Sequence, residues 1–174
     1  NPTEFVLVVN SDNFIDGDGY KDAIIGAKEI AKKGVIAAVG VKPEYQAKNL
    51  GYIKRDGNDV IKILSNVDFD DATSEIADCY SYEEGYLWNS GILVFRAGDM
   101  VNITRKKCPE LYTACRTAKR KVPAIRRAIR FSENVMKDIV TGSIETLVLE
   151  HCDNLKVVEA DILWKDIDNV CDIE

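Results

Sequence analysis

Two apolar segments with a helical pattern between them constrain the fold of this chain most strongly. Phe5–Val9 and Val35–Val41 are continuous apolar runs of strand length, which is typical of strands buried on both faces. Between them, Tyr20–Lys33 places its apolar residues at helical spacing, and Asp16 or Asp18 can cap this helix. The order strand, helix, strand therefore predicts an α/β fold with a mixed, mainly parallel sheet flanked by helices.

The same two kinds of element continue along the chain. Further strands are predicted at Tyr52–Lys54, Val60–Leu64, Tyr86–Phe95 and Leu155–Val158, and further helices at Asp70–Tyr80, Asp99–Arg105, Pro109–Lys121, Pro123–Lys137 and Ile144–Glu150. No internal repeat, low-complexity segment or linker separates them. Residues 1–174 are therefore predicted to form a single domain.

The composition excludes several classes of protein. A net charge of −6 argues against a general nucleic-acid binder, and no apolar run reaches the length of a membrane span. The five cysteines are odd in number and irregularly spaced, which favours reduced thiols over a disulfide framework. We therefore expect a cytoplasmic protein with neither a nucleic acid nor a membrane as partner.

Positive charge is concentrated in one part of the chain. Residues 105–130 contain ten Lys and Arg residues and one acidic residue, Glu110. This pattern has two interpretations, a solvated helical face or a patch that attracts phosphates or an acidic neighbouring subunit. The second interpretation allows the chain to form a homo-oligomer.

Polar residues follow the ends of two predicted strands. Asp12 comes shortly after the first strand, and Asp166 follows the last one. Ligands in open α/β sheets bind beyond the carboxyl ends of strands, and one or two carboxylates are enough protein ligands for Mg²⁺. The alternative is that both aspartates cap turns or helices.

The sequence contains no familiar nucleophile or phosphate-loop motif. No G-x-S-x-G, P-loop or G-x-G-x-x-G is present, and His151-Cys152-Asp153 are neighbours in sequence, which seldom form a catalytic set. From the residues alone, a phosphate-and-metal enzyme and a non-catalytic α/β domain remain equally open.

Four segments, in order, resemble one family of enzymes. They are "FVLVVNSDNFI", "GVIAAVGVKPEYQAKNLGYIKRDG", "GYLWNSGILVFRAGDM" and "SIETLVLEHCDNLKVVEADILWKDID". In this order they are similar to the sugar-phosphate nucleotidyltransferases, and within that family to the mannose-1-phosphate guanylyltransferases. The resemblance implies a Rossmann-like nucleotidyltransferase fold.

The resemblance also implies roles for individual residues. Asp12 and Asp166 match the two metal-binding aspartates, which implies a Mg²⁺ cofactor and a catalytic role for both. Asn89 matches the asparagine that binds sugar hydroxyls, Gly91 would let the backbone approach the sugar closely, and Trp88 would form a wall of the pocket. The implied substrate-binding residues are Asn89, Glu145, Gly51 and Tyr52.

The reaction implied by the resemblance is transfer of GMP from GTP to mannose 1-phosphate, giving GDP-mannose and pyrophosphate. Such a reaction belongs to nucleotide-sugar and polysaccharide biosynthesis. It needs no protein nucleophile, because a phosphate oxygen of the sugar phosphate attacks GTP directly.

Two motifs of the family have no counterpart in the sequence. The glycine-rich loop at the start of the family's core is absent, so we expect an N-terminally truncated form of the fold. Ser65–Asp68 stands where a glutamate-lysine-proline motif would follow the strand Val60–Leu64. Two explanations are open, a fragment of a guanylyltransferase or a diverged, catalytically inactive domain that serves as a binding or regulatory subunit.

Overall fold

The computed structural model describes residues 1–45, 47, 50–65, 82–120, 131, 133–137 and 139–167. The contacts divide the chain into two compact units. The first unit comprises residues 1–99 and 153–174, and the second comprises residues 100–152. Each unit is described by itself.

The first unit contains a six-stranded sheet with the order β1-β6-β3-β7-β5-β4. Its strands are β1 (Phe5–Val8), β3 (Ile36–Val41), β4 (Tyr52–Asp56), β5 (Asp59–Leu64), β6 (Tyr86–Arg96) and β7 (Leu155–Ala160). A separate two-stranded ribbon pairs β2 (Asn13–Asp16) with β8 (Leu163–Asp166), and helix α1 spans Gly19–Ala31.

The predicted α/β class and mixed sheet are confirmed. Strands β3 and β7 are parallel neighbours, whereas β6 runs antiparallel to β1, β3 and β4. It follows that β1, β3, β4 and β7 share one direction, which β5 and β6 oppose. Strands β1 and β3 therefore run parallel to each other, as the strand-helix-strand order predicts, but β6 lies between them.

Helix α1 packs on the sheet through three alanines. Ala23, Ala27 and Ala31 recur every four residues, so they share one face of the helix, and all three are buried in a core cluster with Val39 and Val94. Their small side chains let the helix backbone approach the sheet closely.

The ends of α1 follow the predicted caps in position. Asp18 is the N-cap residue, although its side chain makes no capping hydrogen bond, and Asp16 belongs to β2 instead. At the other end Gly34 has φ +82° and its N–H bonds to the carbonyl of Ala31 at 3.1 Å. Glycine adopts this left-handed conformation without steric cost, which explains where the helix stops.

The sequence pattern predicted neither strand of the ribbon, β2 or β8. One reason is their length, since β2 and β8 have four residues each. Their residues alternate, or nearly alternate, between more buried and exposed positions. Their partners in the ladder are about 150 residues apart in sequence, so no local signal announces the pairing.

The second unit is helical in its described part. Helix α2 spans Ala97–Lys107 and begins in the first unit; α3 (Pro109–Arg120), α4 (Glu133–Met136) and α5 (Ile144–Leu147) follow. Pro109 occupies the first turn of α3, as predicted. The predicted helix at 70–80 and most of the one at 123–137 lie outside the described residues. None of the helices in the described ranges has the length and hydropathy of a membrane span.

Candidate functional site

The candidate site lies at a gap along one edge of β6. Residues 93–96 of β6 pair with β1, and residues 86–88 pair with β4. Because Trp88 also pairs with Val41 of β3, β3 occupies the opposite edge, and β1 and β4 share the first one. Residues 89–92 therefore lie between the carboxyl end of β1 and the start of β4, which is where ligands bind in open α/β sheets.

A β-bulge shapes this part of β6. Ala38 is opposite Leu93 and Gly40 is opposite Asn89, so a two-residue step in β3 faces a four-residue step in β6. Gly91 has φ +73° within the bulge, a conformation that L side chains rarely adopt. The glycine predicted to allow close approach is thus also required by the backbone.

Ser90 satisfies the hydrogen bonds that the bulge disrupts. Its side chain is 1% exposed, and its hydroxyl donates to the carbonyl of Val39 at 2.7 Å and accepts from the N–H of Ile92 at 3.2 Å. An unpaired buried backbone group costs about 1–3 kcal/mol. The hydroxyl in the Trp-Asn-Ser-Gly segment is therefore a structural residue of the bulge.

Asn89 is half-buried at the gap, beside Gly51. Its backbone N–H donates to the carbonyl of Gly51 at 2.8 Å, and its Oδ1 accepts from the N–H of Gly91 at 3.2 Å. Its NH₂ group makes no hydrogen bond to a described residue. A Cβ at Gly51 would lie 3.5 Å from Asn89 Cβ and 3.3 Å from the carbonyl oxygen of Leu64. Asn89 and Gly51, predicted separately as substrate-binding residues, are neighbours.

Tyr52 is a core residue in this structure. Its side chain is fully buried and pairs across the ladder with Trp88. Its hydroxyl accepts from the N–H of Ala47 and donates to the carbonyl of Ala47, both at 3.1 Å. The substrate-binding role of Tyr52 stays a prediction, and the geometry favours support of the site rather than contact with a ligand.

The ribbon brings Asp12 and Asp166 to adjacent positions. The N–H of Ile167 bonds to the carbonyl of Asp12 at 2.9 Å, which places Asp12 and Asp166 on neighbouring rungs of the β2–β8 ladder. Asn13 pairs directly with Asp166, and its Nδ2 donates to Asp166 Oδ1 at 2.8 Å. Thus the backbones of the two predicted aspartates are adjacent, and Asn13, which sequence reasoning did not assign, orients the Asp166 carboxylate.

Two contacts join the ribbon region to β6. The ring of Trp164 packs 6.3 Å from that of Trp88, with an interplanar angle of 46°. The side chain of Asn10 lies against Gly91, where an added Cβ would be 3.0 Å from Asn10 Cγ. Each aspartate follows one of these contacting residues by two positions, a span of at most about 7 Å of extended chain. The indole N–H groups of both tryptophans are buried and make no hydrogen bond within the described residues.

The chemistry of the ribbon residues fits a hard cation. Asp12 and Asp166 offer carboxylate oxygens, and Asn13 Oδ1 is a buried acceptor with no hydrogen-bond partner among the described residues. Mg²⁺ prefers oxygen ligands and takes only one or two protein carboxylates where phosphates complete its shell. Within the described ranges no three His, Cys, Asp or Glu side chains cluster as metal ligands. The candidate ligands are therefore these two carboxylates.

Glu145 lies in the second unit. It occupies the first turn of α5, whose N-terminus is capped by Ser143 Oγ accepting from the N–H of Thr146 at 3.2 Å. Its predicted contact with the sugar stays a prediction.

The second unit also has a cavity of about 700 Å³, lined mainly by apolar side chains of α2 and α3 such as Val101 and Leu111. None of the predicted site residues lines this cavity.

A charged cluster fixes the segment that leads into β6. Glu159 of β7 accepts from Arg55 at 2.5 Å and from the Tyr82 hydroxyl at 2.8 Å. Lys42 lies 4.7 Å above the Tyr82 ring. The hydrogen bond to the Glu159 carboxylate raises the pKa of Tyr82 above its usual value, an effect that the Arg55 guanidinium partly offsets. The cluster ties β4, β7 and the 3₁₀ turn Tyr82–Glu84 together just before Trp88 and Asn89.

The nucleotidyl transferase family model matches residues 1–173, nearly the whole chain. The chain belongs to the nucleotidyl transferase family. This confirms the resemblance drawn from the four sequence segments and the fold class predicted with it.

The curated relatives of this family member include several mannose-1-phosphate guanylyltransferases. The chain is 28% identical over 171 residues to mannose-1-phosphate guanylyltransferase RfbM of Salmonella typhimurium, with 96% of this chain and 35% of that protein covered. It is 30% identical over 178 residues to mannose-1-phosphate guanylyltransferase 2 of Escherichia coli O157:H7, with 96% and 37% covered. The chain therefore spans little more than a third of the length of these relatives.

Solved structures share this fold. A mannose-6-phosphate isomerase from Helicobacter pylori superimposes with a TM-score of 0.85 at 26% identity, covering 95% of this chain and 65% of that one. A protein described as mannose-1-phosphate geranyltransferase from Thermus thermophilus gives a TM-score of 0.77 at 22% identity, covering 94% and 46%. The second likeness concerns the fold alone.

Proposed function

We propose that this chain takes part in transfer of GMP from GTP to mannose 1-phosphate, giving GDP-mannose and pyrophosphate. The observation that supports this proposal most strongly is a convergence at one edge of β6. Asn89 and Gly51 adjoin the gap between β1 and β4, and Asn10 and Trp164 connect this segment to the ribbon that contains Asp12 and Asp166. A sugar-binding amide and two carboxylates suited to a cation are thus parts of one region.

In the proposed reaction, a phosphate oxygen of mannose 1-phosphate attacks the α-phosphorus of GTP in line. The bond from that phosphorus to the oxygen bridging the β-phosphate breaks, and pyrophosphate leaves. Because the substrates supply both nucleophile and leaving group, the task of the protein is to position them.

Asn89 would hold the sugar through its NH₂ group, which makes no hydrogen bond to a described residue. The backbone turn at Gly91 holds the Asn89 side chain in place, because Oδ1 accepts the N–H of Gly91. Asp12 and Asp166 would hold Mg²⁺, with Asn13 orienting the Asp166 carboxylate. When bound, Mg²⁺ supplies neutralisation of charge on phosphate oxygens.

A second candidate function is a non-catalytic domain that binds the nucleotide sugar. The sequence of Ser65–Asp68, in place of the glutamate-lysine-proline motif, favours it, because a lysine that would neutralise phosphate charge is missing from that position. This candidate predicts binding of GDP-mannose without turnover.

The test is a product assay with a panel of substrates. The chain is incubated with Mg²⁺, with GTP, ATP or UTP, and with mannose 1-phosphate or glucose 1-phosphate, and products are separated by anion-exchange chromatography. Formation of GDP-mannose with release of pyrophosphate supports the proposal. Another nucleotide sugar as main product contradicts the assigned specificity, and binding of GDP-mannose with no product favours the second candidate.

A further inference from the structure

We infer that Asn10 is a second sugar-binding amide, which acts with Asn89 on the hydroxyl groups of the glycosyl phosphate. The inference rests on the proposed function and extends the sugar-binding part of that site to a residue that the family resemblance does not assign.

Asn10 lies beside Gly91 at the edge of the gap. Asn10 follows the last residue of β1 by two positions, at the edge of the gap where residues 90–92 of β6 pair with neither β1 nor β4. Its side chain occupies the space that a Cβ at Gly91 would need, with Nδ2 nearest to that point, Cγ at 3.0 Å and Oδ1 at 3.1 Å. The amide of Asn10 is therefore held next to Gly91, whose N–H bonds to Asn89 Oδ1.

The two amides have complementary hydrogen-bonding groups left for a ligand. Asn89 Oδ1 already accepts the N–H of Gly91, so Asn89 presents chiefly its NH₂ donors to a ligand. Asn10 is exposed, and neither its oxygen nor its nitrogen makes a hydrogen bond within the described residues. A sugar hydroxyl both donates and accepts, and vicinal hydroxyls need both functions side by side. Because the N–H of Gly91 occupies Asn89 Oδ1, Asn10 Oδ1 supplies the acceptor for the sugar.

No hydrogen bond within the described residues gives the amide of Asn10 a structural role. By contrast, the hydroxyl of Ser90 in the same bulge makes two internal hydrogen bonds. Asn10 makes none within the described residues, yet Gly91 leaves room for it. The contact positions the Asn10 side chain while its polar atoms stay available to a ligand.

The inference is tested by titrating mannose 1-phosphate into the 174-residue chain and three variants, with calorimetry for affinity. We expect Asn10→Ala and Asn10→Leu to weaken binding about threefold to tenfold, the effect of one lost neutral hydrogen bond. Leucine keeps the approximate shape of asparagine, so its loss of affinity reports hydrogen bonding rather than packing. Asn154→Ala, at an exposed turn before β7 and at the opposite end of the β3–β7 pair from the gap, should bind as the unchanged chain does.

A spectroscopic measurement accompanies the titration. In ¹⁵N-labelled protein, the side-chain NH₂ signals of Asn10, assigned by their loss in Asn10→Ala, should shift when mannose 1-phosphate is added and stay in place when inorganic phosphate is added. Full affinity in Asn10→Leu, or NH₂ signals unmoved by a sugar phosphate that binds, would overturn the inference alone. A chain that binds neither mannose 1-phosphate nor GDP-mannose overturns the proposed function as well.

Discussion

At the scale of single residues, each of the four residues in the Trp-Asn-Ser-Gly segment has a different role. Trp88 is a core residue at 2% exposure, Ser90 repairs the bulge, Gly91 adopts the left-handed conformation, and Asn89 keeps an NH₂ group for a ligand. Because the bulge depends on Ser90 and Gly91, the orientation of Asn89 depends on both.

The first prediction concerns Asn89. Asn89→Ala should weaken binding of mannose 1-phosphate by about 1–3 kcal/mol, because buried polar contacts with the sugar are lost. Calorimetric titration measures the change, with Asn154→Ala as the matched control. Equal affinities of Asn89→Ala and the unchanged chain would remove Asn89 from the sugar site.

The second prediction separates the two reasons for glycine at position 91. Gly57 also has positive φ, at +56°, but nothing lies within 4 Å of a Cβ added there. Gly57→Ala should therefore cost only the backbone strain, about 1–2 kcal/mol of unfolding free energy. Gly91→Ala should cost a similar amount of unfolding free energy, because the atom nearest its Cβ is Asn10 Nδ2, the end of an exposed side chain that can rotate away.

Urea unfolding of both variants gives the comparison. Gly91→Ala should also weaken binding of mannose 1-phosphate, since the Asn10 side chain then moves away from its place against Gly91. An unfolding free energy for Gly91→Ala well below that of Gly57→Ala would show that Asn10 cannot move aside.

At the scale of elements, the site depends on how short pieces are attached to the sheet. The β2–β8 ribbon is attached through the Trp88–Trp164 contact and the cluster of apolar residues around Tyr52. The turn before β6 is attached through Glu159, which binds both Arg55 and Tyr82. These attachments determine where Asp166 and Asn89 lie.

The third prediction concerns the ribbon. Asn13→Ala should weaken Mg²⁺ binding about 10–100-fold, because Asp166 loses the amide that orients it. Titration of Mg²⁺ alone, followed by tryptophan fluorescence, reports the change, since Trp164 lies in β8 two residues before Asp166. Asn58→Ala, which removes a hydrogen bond to the carbonyl of Val157 outside the ribbon, is the control. An Asn13→Ala variant with full Mg²⁺ affinity contradicts this account of the ribbon.

The fourth prediction concerns pH. Because folding raises the pKa of Tyr82, its hydrogen bond to Glu159 should stabilise the fold fully below the pKa of an unfolded tyrosine, about 10, and lose this effect as pH rises through the raised value. Tyr82→Phe should therefore lower the urea midpoint at about pH 8, well below that pKa, and the difference from the unchanged chain should shrink at still more alkaline pH.

The control for the Tyr82 experiment is Tyr45→Phe, because the Tyr45 ring packs on Trp88 and phenylalanine keeps that contact. A Tyr82→Phe midpoint equal to that of the unchanged chain under the same mildly alkaline conditions would argue against the hydrogen bond to Glu159.

The elements differ in how well the sequence predicted them. Strands β1 and β3 are continuous apolar runs, β6 has apolar residues on both sides of Asn89-Ser90-Gly91, and α1 has helical spacing with Gly34 after it, so local signals were sufficient. Strands β2 and β8 have four residues each and depend on a partner far away in sequence. The same holds for the contact of Asn10 with Gly91, which arises from the bulge. Asp12, Asp166, Asn89 and Gly51 were predicted from strand ends or family motifs, whereas Asn10 and Asn13 depend on tertiary contacts.

At the scale of the whole molecule, membership of the nucleotidyl transferase family agrees with the fold of the first unit. The chain covers 35% and 37% of two curated guanylyltransferase relatives. The single domain, the Mg²⁺ cofactor, the role of Glu145, the cytoplasmic location and the oligomeric state remain predictions. Most described Lys and Arg residues of α2 and α3 are exposed, as a solvated face requires.

The measurement that tests the central claim most directly is calorimetric titration of GDP-mannose into the chain, with and without Mg²⁺. It is repeated on the double variant Asp12→Asn/Asp166→Asn, which keeps side-chain size but removes both carboxylates. We predict binding that Mg²⁺ strengthens in the unchanged chain and no effect of Mg²⁺ in the double variant. Absence of GDP-mannose binding by the folded chain, or an equal effect of Mg²⁺ in both proteins, would contradict the account.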